Sequence, residues 1–499
     1  DGDCDDLNAC TTDACDGSTR SCTHAAVDCD DVDACTTDSC DTTTGCVHAA
    51  IVCDDGDVCT DDSCDTTTGC TTSYNRAACD DGDICTTPDV CDGAGTCVGT
   101  DTGLTNCSGV CVDLLTDRDH CGGCTSACAI DQACVGGSCV ARTWIPVGGP
   151  VNSSTYPAAA HAIGSDGALP FVALVEEYPG FEHDVIVRRY VDPSWVDVGS
   201  SFVPTDLDAA EVVDIEFHGT TPWVIYHADW GTAHVEYFSS GAWTEVGAPG
   251  FDTWCLALQS LDLALDSVPH PHLTYMGAGG CGIGVGYAWH DGAAWRHHPS
   301  TAWVGSELIT MNGSGITDIV YTDRPYIALG DMSVHSVKIW DSTGAGWTDH
   351  GSILDMNVAA GWDEASYITS DSSGVLYVAW IEEDAPGGTG RVYVKRWETT
   401  DWALVGSGSA SGAGDSRNPA IAIVSGTPYV TWQEITAGVS TVYVKRLSGT
   451  SWVAAGGALN VDSTRDAVEP DITGIGSTVH VAFREEDGTG VERIYVKSF

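Results

Sequence analysis

Arg493-Ile-Tyr-Val-Lys-Ser-Phe499 reads as the first strand of a β-hairpin whose second strand never arrives. Earlier copies of the same string run on. Arg391-Val-Tyr-Val-Lys-Arg-Trp397 leads to Trp402-Ala-Leu-Val-Gly406, and Thr441-Val-Tyr-Val-Lys-Arg446 leads to Trp452-Val-Ala-Ala-Gly456. The missing half stands far upstream as Trp144-Ile-Pro-Val-Gly148, with no strand before it. Working outward from these strings, tryptophans recur at Trp144, Trp195, Trp243, Trp295, Trp347, Trp402 and Trp452. Two further strand-like segments precede each hairpin, as in Pro419-Ala-Ile-Ala-Ile-Val424 and Pro428-Tyr-Val-Thr-Trp432. Four short strands per repeat, with Gly-rich turns and no helical period, predict a mainly β fold: a seven-bladed β-propeller over residues 141–499. Trp144 supplies the strand that completes the blade ending at Phe499, so the two ends of this region close the ring.

With 499 residues the chain is too long for one ordinary core. Of its 25 cysteines, all but Cys255 and Cys281 lie between Cys4 and Cys139. That density without zinc spacing points to an oxidising, extracellular compartment. The start at Asp1 fits a mature exported product, and no apolar run approaches the roughly 20 residues of a membrane-spanning helix. A formal charge of −53 excludes nucleic acid and anionic lipid as partners, because both demand a basic surface.

Four tandem units fill residues 1–100: Cys4, Cys10, Cys15, Cys22; Cys29, Cys35, Cys40, Cys46; Cys53, Cys59, Cys64, Cys70; Cys79, Cys85, Cys91, Cys97. Large apolar residues are scarce, so disulfides and bound metal are expected to hold each unit, and the units to stack into a rod. Each unit carries aspartates at fixed offsets, among them Asp30, Asp31, Asp33, Asp54, Asp55, Asp57, Asp80, Asp81 and Asp83. Hard oxygens on a glycine-assisted turn suit Ca2+, although the terminal Glu of an EF-hand loop is missing. The alternative is an acidic turn in which Asp bonds its own backbone. His24 and His48, two residues after Cys22 and Cys46, are read as surface turn positions.

The string Cys53-Asp-Asp-Gly-Asp-Val-Cys59-Thr-Asp-Asp-Ser-Cys64-Asp-Thr-Thr-Thr-Gly-Cys70 resembles the cysteine-rich CTDC repeat of slime-mould extracellular-matrix proteins, also met in secreted myxobacterial proteins. The segment from Asn106-Cys-Ser-Gly-Val-Cys111 through Cys121-Gly-Gly-Cys124 to Cys139 resembles the Stig1-type module, giving a second domain over 101–140. Both resemblances imply extracellular structural roles and bring no catalytic residue. Cys22 and Cys46 depart from the repeat pattern, which leaves the disulfide pairing open. Cys255 and Cys281 fall on loops at one face of the third blade and are expected to form a disulfide; the remaining 23 cysteines then leave one over, to bond another chain, to pair with a removed segment or to stay free.

The tryptophans are expected to fill the wedge between blades. No nucleophile elbow, zinc-protease or phosphate-loop motif occurs, and Ser370-Asp-Ser-Ser-Gly374 only echoes a sialidase box. The clusters Glu176-Glu177, Glu382-Glu383-Asp384 and Glu485-Glu486-Asp487 repeat at one blade offset and are read as solvated loops; His270, His272, His297 and His298 are read as exposed loop residues. Asn106, Asn152 and Asn312 fit the N-glycosylation sequon, and Thr42–Thr44 and Thr66–Thr68 are candidate O-glycan sites. The expectation is a non-enzymatic exported protein of adhesion, matrix or filament assembly that associates with itself. The alternative is a secreted glycan-binding propeller or a glycoside hydrolase.

Overall fold

The computed structural model describes every residue except 1–3, 129–131, 153–154, 179–181, 202–212, 229–231, 248–250, 253–256, 279–283, 298–316, 332–335, 343–346, 353, 357–362 and 386. The chain divides into two units, Asp1–Val140 and Ala141–Phe499.

In the first unit each cysteine repeat forms one short hairpin, for example Thr36–Asp41 with Gly45–Ala50 and Thr60–Asp65 with Gly69–Tyr74. The third and fourth cysteines of a repeat face each other across the hairpin, as Cys40 faces Cys46 and Cys64 faces Cys70. They do not bond to each other. The fourth cysteine bonds the first of its own repeat: Cys4–Cys22, Cys29–Cys46, Cys53–Cys70 and Cys79–Cys97. The third reaches back to the second cysteine of the repeat before it: Cys10–Cys40, Cys35–Cys64 and Cys59–Cys91. Cys85–Cys111 carries this pattern on into the following module, which Cys107–Cys124, Cys121–Cys134 and Cys128–Cys139 close. Among the described residues, the buried hydrophobic side chains of this unit are Val112 and cysteines such as Cys59, Cys85 and Cys91, so sulfur takes the place of an apolar core.

The second unit is a seven-bladed propeller of seven antiparallel sheets; the first six order four successive strands, the second adding the short strand Phe251–Asp252 beside Thr232–Ser239. The sixth blade is representative: Asp415–Val424, Thr427–Thr436, Val439–Ser448 and Ser451–Ala454. The seventh takes its outer strand from the start of the unit. Ile145–Pro146 pairs with Glu492–Ser498, setting Ile145 opposite Ser498 and Pro146 opposite Lys497. Second strands are apolar on both faces because each blade is covered by its neighbours; Leu376–Ile381 and Pro428–Trp432 are buried throughout.

The Trp-x-x-x-Gly spacing joins one blade to the next. The indole N–H of Trp144 donates to the Ala455 carbonyl at 2.7 Å, Trp195 to Val147 at 3.0 Å, Trp243 to Val198 at 2.6 Å, Trp295 to Val246 at 3.0 Å and Trp452 to Val405 at 3.0 Å. Each acceptor directly precedes the glycine of the neighbouring motif, and that glycine lies under the same indole. A Cβ on Gly406, at φ +88°, would stand 2.6 Å from Trp452 Nε1. The third blade departs from the spacing, with Pro299 in the glycine's place. Gly406→Ala is therefore expected to cost about 2–4 kcal/mol, the left-handed backbone cost plus displacement of an indole. Gly426→Ala, at φ +75° with open space around it, should cost only about 1 kcal/mol. Equilibrium denaturation of the two variants checks the difference; equal losses would remove the indole contact from the explanation.

Candidate functional site: the propeller channel and the aspartate turns

The first strands of the blades line a central cavity of about 700 Å³ whose walls carry Asp214, Glu216, Asp262, Asp318, Asp471 and Tyr367 among others. On these strands an aspartate sits between apolar residues, as in Val213-Asp214-Ile215 and Pro470-Asp471-Ile472. Alternation buries the flanking residues and turns the carboxylate toward the axis. Three of these carboxylates clasp adjacent blades. Asp214 accepts from its own neighbour Ile215 N at 2.7 Å and from Leu263 N of the next blade at 3.0 Å. Asp318 does the same with Ile319 N and Ile368 N, and Asp471 with Ile472 N and Ile163 N across the closing seam.

Enclosure opposes charge on these groups more strongly than the hydrogen bonds favour it. Burial pushes Asp214 up to about 6 and Asp471 up to about 7, the charge of Asp214 adding to the latter. Asp318 is raised well above the ordinary carboxylate range for the same reason. Burial and then Asp214 push Glu216 up to about 8. Glu216 is exposed, however, so solvent screens its shift most and Asp214 and Asp471 carry the argument. Both carboxylate oxygens of Asp214, Asp318 and Asp471 are thus committed to backbone N–H groups.

The sign of the resulting pH dependence follows. A carboxylate with a raised folded pKa stabilises the fold below its unfolded pKa of about 4, and that contribution disappears as pH rises through the folded value. Across pH 5 to 8, Asp214 and Asp471 together are expected to cost the propeller about 3 kcal/mol. All 17 tryptophans lie after residue 140, so indole fluorescence reports this unit alone. Its thermal midpoint should fall from pH 5 to pH 8, and Asp471→Asn should flatten the fall. A midpoint constant over that range would refute the assignment.

Of the acidic clusters, expected to be solvated, only the later members such as Glu177, Asp384 and Glu486 are exposed; the first glutamate of each is buried at the end of a second strand. Glu176, Glu382 and Glu485 are 1–3% exposed, and Glu434 stands at the same place in the sixth blade at 8%. Glu485 accepts from Val461 N and Asp462 N; Glu434 from Gly412 N, Gly414 N and the Trp432 indole; Glu382 from Met356 N. Each fastens the loop arriving from the previous blade to a second strand. The lysines of the Tyr-Val-Lys strings complete the brace. Lys395, Lys445 and Lys497 lie over the rings of Trp380, Trp432 and Phe483 and donate to the carbonyls of Leu354, Ala410 and Asn460. His272, expected in an exposed loop, is buried in the strand Pro271–Ala278, with Nδ1 2.6 Å from the Tyr287 hydroxyl. His270 stays partly exposed beside Asp266. His297 ends the strand Trp295–His297, and His298 lies outside the described residues.

In the cysteine-rich unit the expected metal ligands act first as turn formers. Asp30, Asp31 and Asp33 accept from the backbone N–H two residues on, at Val32, Asp33 and Cys35. Asp54, Asp55 and Asp57 do so at Gly56, Asp57 and Cys59, and Asp80, Asp81 and Asp83 at Gly82, Asp83 and Cys85. A further carboxylate of the fixed-offset set joins each turn from the hairpin: Asp38 accepts from Asp31 N and Asp62 from Asp55 N. In the first two repeats a histidine closes this group. His24 Nδ1 is 2.5 Å from Asp13 and 3.4 Å from Asp6, and His48 Nδ1 is 2.6 Å from Asp38 and 3.2 Å from Asp31. Those carboxylates raise both imidazoles above their ordinary pKa. The third repeat has Thr72 at the histidine's place, opposite Asp62. There Asp62 Oδ1 is buried with no hydrogen-bond partner, and its carboxylate lies within hydrogen-bonding reach of Asp55. The third repeat thus sets two carboxylates together without the imidazole that stands between them in the earlier repeats.

Asn152 is corrected as a glycan acceptor. It is 5% exposed, its amide donates to Tyr156 O and Glu492 O, and its oxygen accepts from Ile494 N. Asn106 is exposed, with its oxygen bonded to Gly109 N. Asn312, Cys255 and Cys281 lie outside the described residues.

The family model described as the Dictyostelium (slime mold) repeat matches residues 3–27, 28–51 and 52–73. A search of curated proteins found no match. Among solved structures, an ulvan lyase of a new polysaccharide lyase family is 10% identical with a TM-score of 0.46, covering 71% of this chain and 94% of its own. The SapL1 lectin in complex with alpha methyl fucoside is 14% identical with a TM-score of 0.38, covering 57% and 92%. Trypanosoma rangeli sialidase is 8% identical with a TM-score of 0.39, covering 72% and 59%. The neighbours thus include carbohydrate-active enzymes and lectins, and at such identities nothing of their chemistry is carried over.

Proposed function

We propose that this is an exported structural or adhesive protein, in which a disulfide-laddered, calcium-stabilised arm presents a β-propeller for assembly into extracellular matrix or filaments. The observation that carries the reading is the set of disulfides between successive repeats, Cys10–Cys40, Cys35–Cys64 and Cys59–Cys91. A covalent link at every repeat boundary transmits load without relying on an apolar core, and such bonds persist only in an oxidising compartment. Among the described residues no helix is long and apolar enough to cross a membrane. The chain acts without catalysis in this reading: the channel aspartates and the buried glutamates hold backbone N–H groups.

Calcium enters at the Asp55 and Asp62 pair, where two carboxylates meet without a histidine. Electron microscopy of the chain at micromolar concentration in calcium, without reductant, is expected to show assemblies that chelation disperses. Monomers in both conditions would overturn the reading. The polar channel cavity favours a glycan-binding alternative. Glycan-array binding lost on substitution of channel residues, together with dispersed monomers, would select it.

A further inference from the structure

The disulfides define a docking face that one repeat leaves uncovered. In the second, third and fourth repeats the third cysteine receives the second cysteine of the repeat before it. Backbone contacts accompany the bond: Ala9 N donates to Thr42 O and Ala34 N to Thr66 O, each across a repeat boundary at 2.9 Å. Cys15 occupies the same hairpin position in the first repeat, facing Cys22 as Cys40 faces Cys46. It is exposed and is the one free cysteine among the described residues. Gly17, which corresponds to Thr42 and Thr66, has open space around it. The first repeat therefore presents uncovered the face that three later repeats use.

From this we infer that Cys15 and the backbone at Gly17 form the receiving half of a repeat-to-repeat joint, and that its occupant is another repeat of this kind with a reduced second cysteine. The inference deepens the assembly reading by naming the contact, and it stands on the disulfide pattern without calcium. A second copy of this chain does not fit, because its own second cysteines, Cys10, Cys35, Cys59 and Cys85, are all bonded. The bond forms by thiol–disulfide exchange with a low-molecular-weight disulfide such as oxidised glutathione. The Cys15 thiolate attacks it and releases one glutathione thiolate. The thiolate of the arriving cysteine then attacks the Cys15 sulfur and releases the second, so two thiols are oxidised and one glutathione disulfide is reduced.

The test uses the full chain and two probes made from residues 28–51, both with the Cys29–Cys46 bond preformed. One carries Cys40→Ser and keeps Cys35 free; the other carries Cys35→Ser and keeps Cys40 free. In a glutathione redox buffer, the probe with Cys35 free is expected to be captured on Cys15 at least tenfold more than the other, read by intact mass and peptide mapping. Capture should disappear in the Cys15→Ser chain. Equal capture of both probes, a Cys15–Cys15 dimer as the main product, or Cys15 held only as its glutathione adduct would each overturn the inference. Loss of probe selectivity sinks the joint alone, whereas selective capture with no assemblies by microscopy sinks the matrix role and leaves the joint standing.

Discussion

Deleting Arg493–Phe499 is expected to abolish cooperative folding of the whole propeller. The strand Glu492–Ser498 lies between two partners, paired with Thr478–Glu486 on one side and Ile145–Pro146 on the other. It buries Ile494, Val496 and Phe499 at 0–4% exposure, and Phe499 meets the Trp144 ring at 5.2 Å. Three buried side chains of that size contribute about 5–8 kcal/mol, comparable with the whole stability of a typical domain. The deletion also removes the acceptors of Val147 N and Val151 N and leaves the Asn152 side chain facing an empty strand position. Indole fluorescence on heating should lose its sharp transition. A truncated protein that melts as sharply as the parent would refute ring closure by this strand.

The propeller was legible in the sequence because its organising feature is local and periodic. The strings at 391–397, 441–446 and 493–499 mark third strands, and the Trp-x-x-x-Gly spacing encodes its own contact: one blade's glycine lies under the next blade's indole. What stayed hidden depends on partners far away in the chain. Glu382 and Glu485 look solvated because nothing adjacent in sequence neutralises them; the N–H groups they accept, at Met356, Val461 and Asp462, arrive from the preceding loop. His272 and Asn152 were misplaced for the same reason, their partners Tyr287 and Ile494 being brought up only by strand pairing.

In the channel a signal existed and was missed. An aspartate flanked by apolar residues at Asp214, Asp262 and Asp471 contradicts ordinary burial rules, and a charged residue inside a first strand calls for a stated partner. In the cysteine repeats the aspartates form the turns by bonding their own backbone, as one of the two readings held. One oxygen of Asp55 accepts from Asp57 N and so shapes the turn, and the turn in turn sets Asp55 beside Asp62. The disulfide connectivity was not legible, since third and fourth cysteines face each other across every hairpin and only the backbone shows each turning to a different partner.

Full reduction is expected to unfold residues 1–140 and leave the propeller folded. With cysteines supplying nearly all the buried apolar surface there, no core remains to oppose chain entropy and repulsion between aspartates once the bonds are broken. The three arginines of this region, Arg20, Arg76 and Arg118, then become trypsin sites in an open chain. Digestion should release the region rapidly under reductant and slowly without it, while the propeller keeps a cooperative melting transition read by indole fluorescence. Losing one boundary bond gives a graded version. Replacing both Cys59 and Cys91 with Ser opens a link spanning 32 residues and is expected to cost about 3–4 kcal/mol locally. Cleavage should then quicken first at Arg76, which lies between the two repeats that this bond joins. Trypsin resistance that survived complete reduction would show that something other than sulfur holds residues 1–140 together.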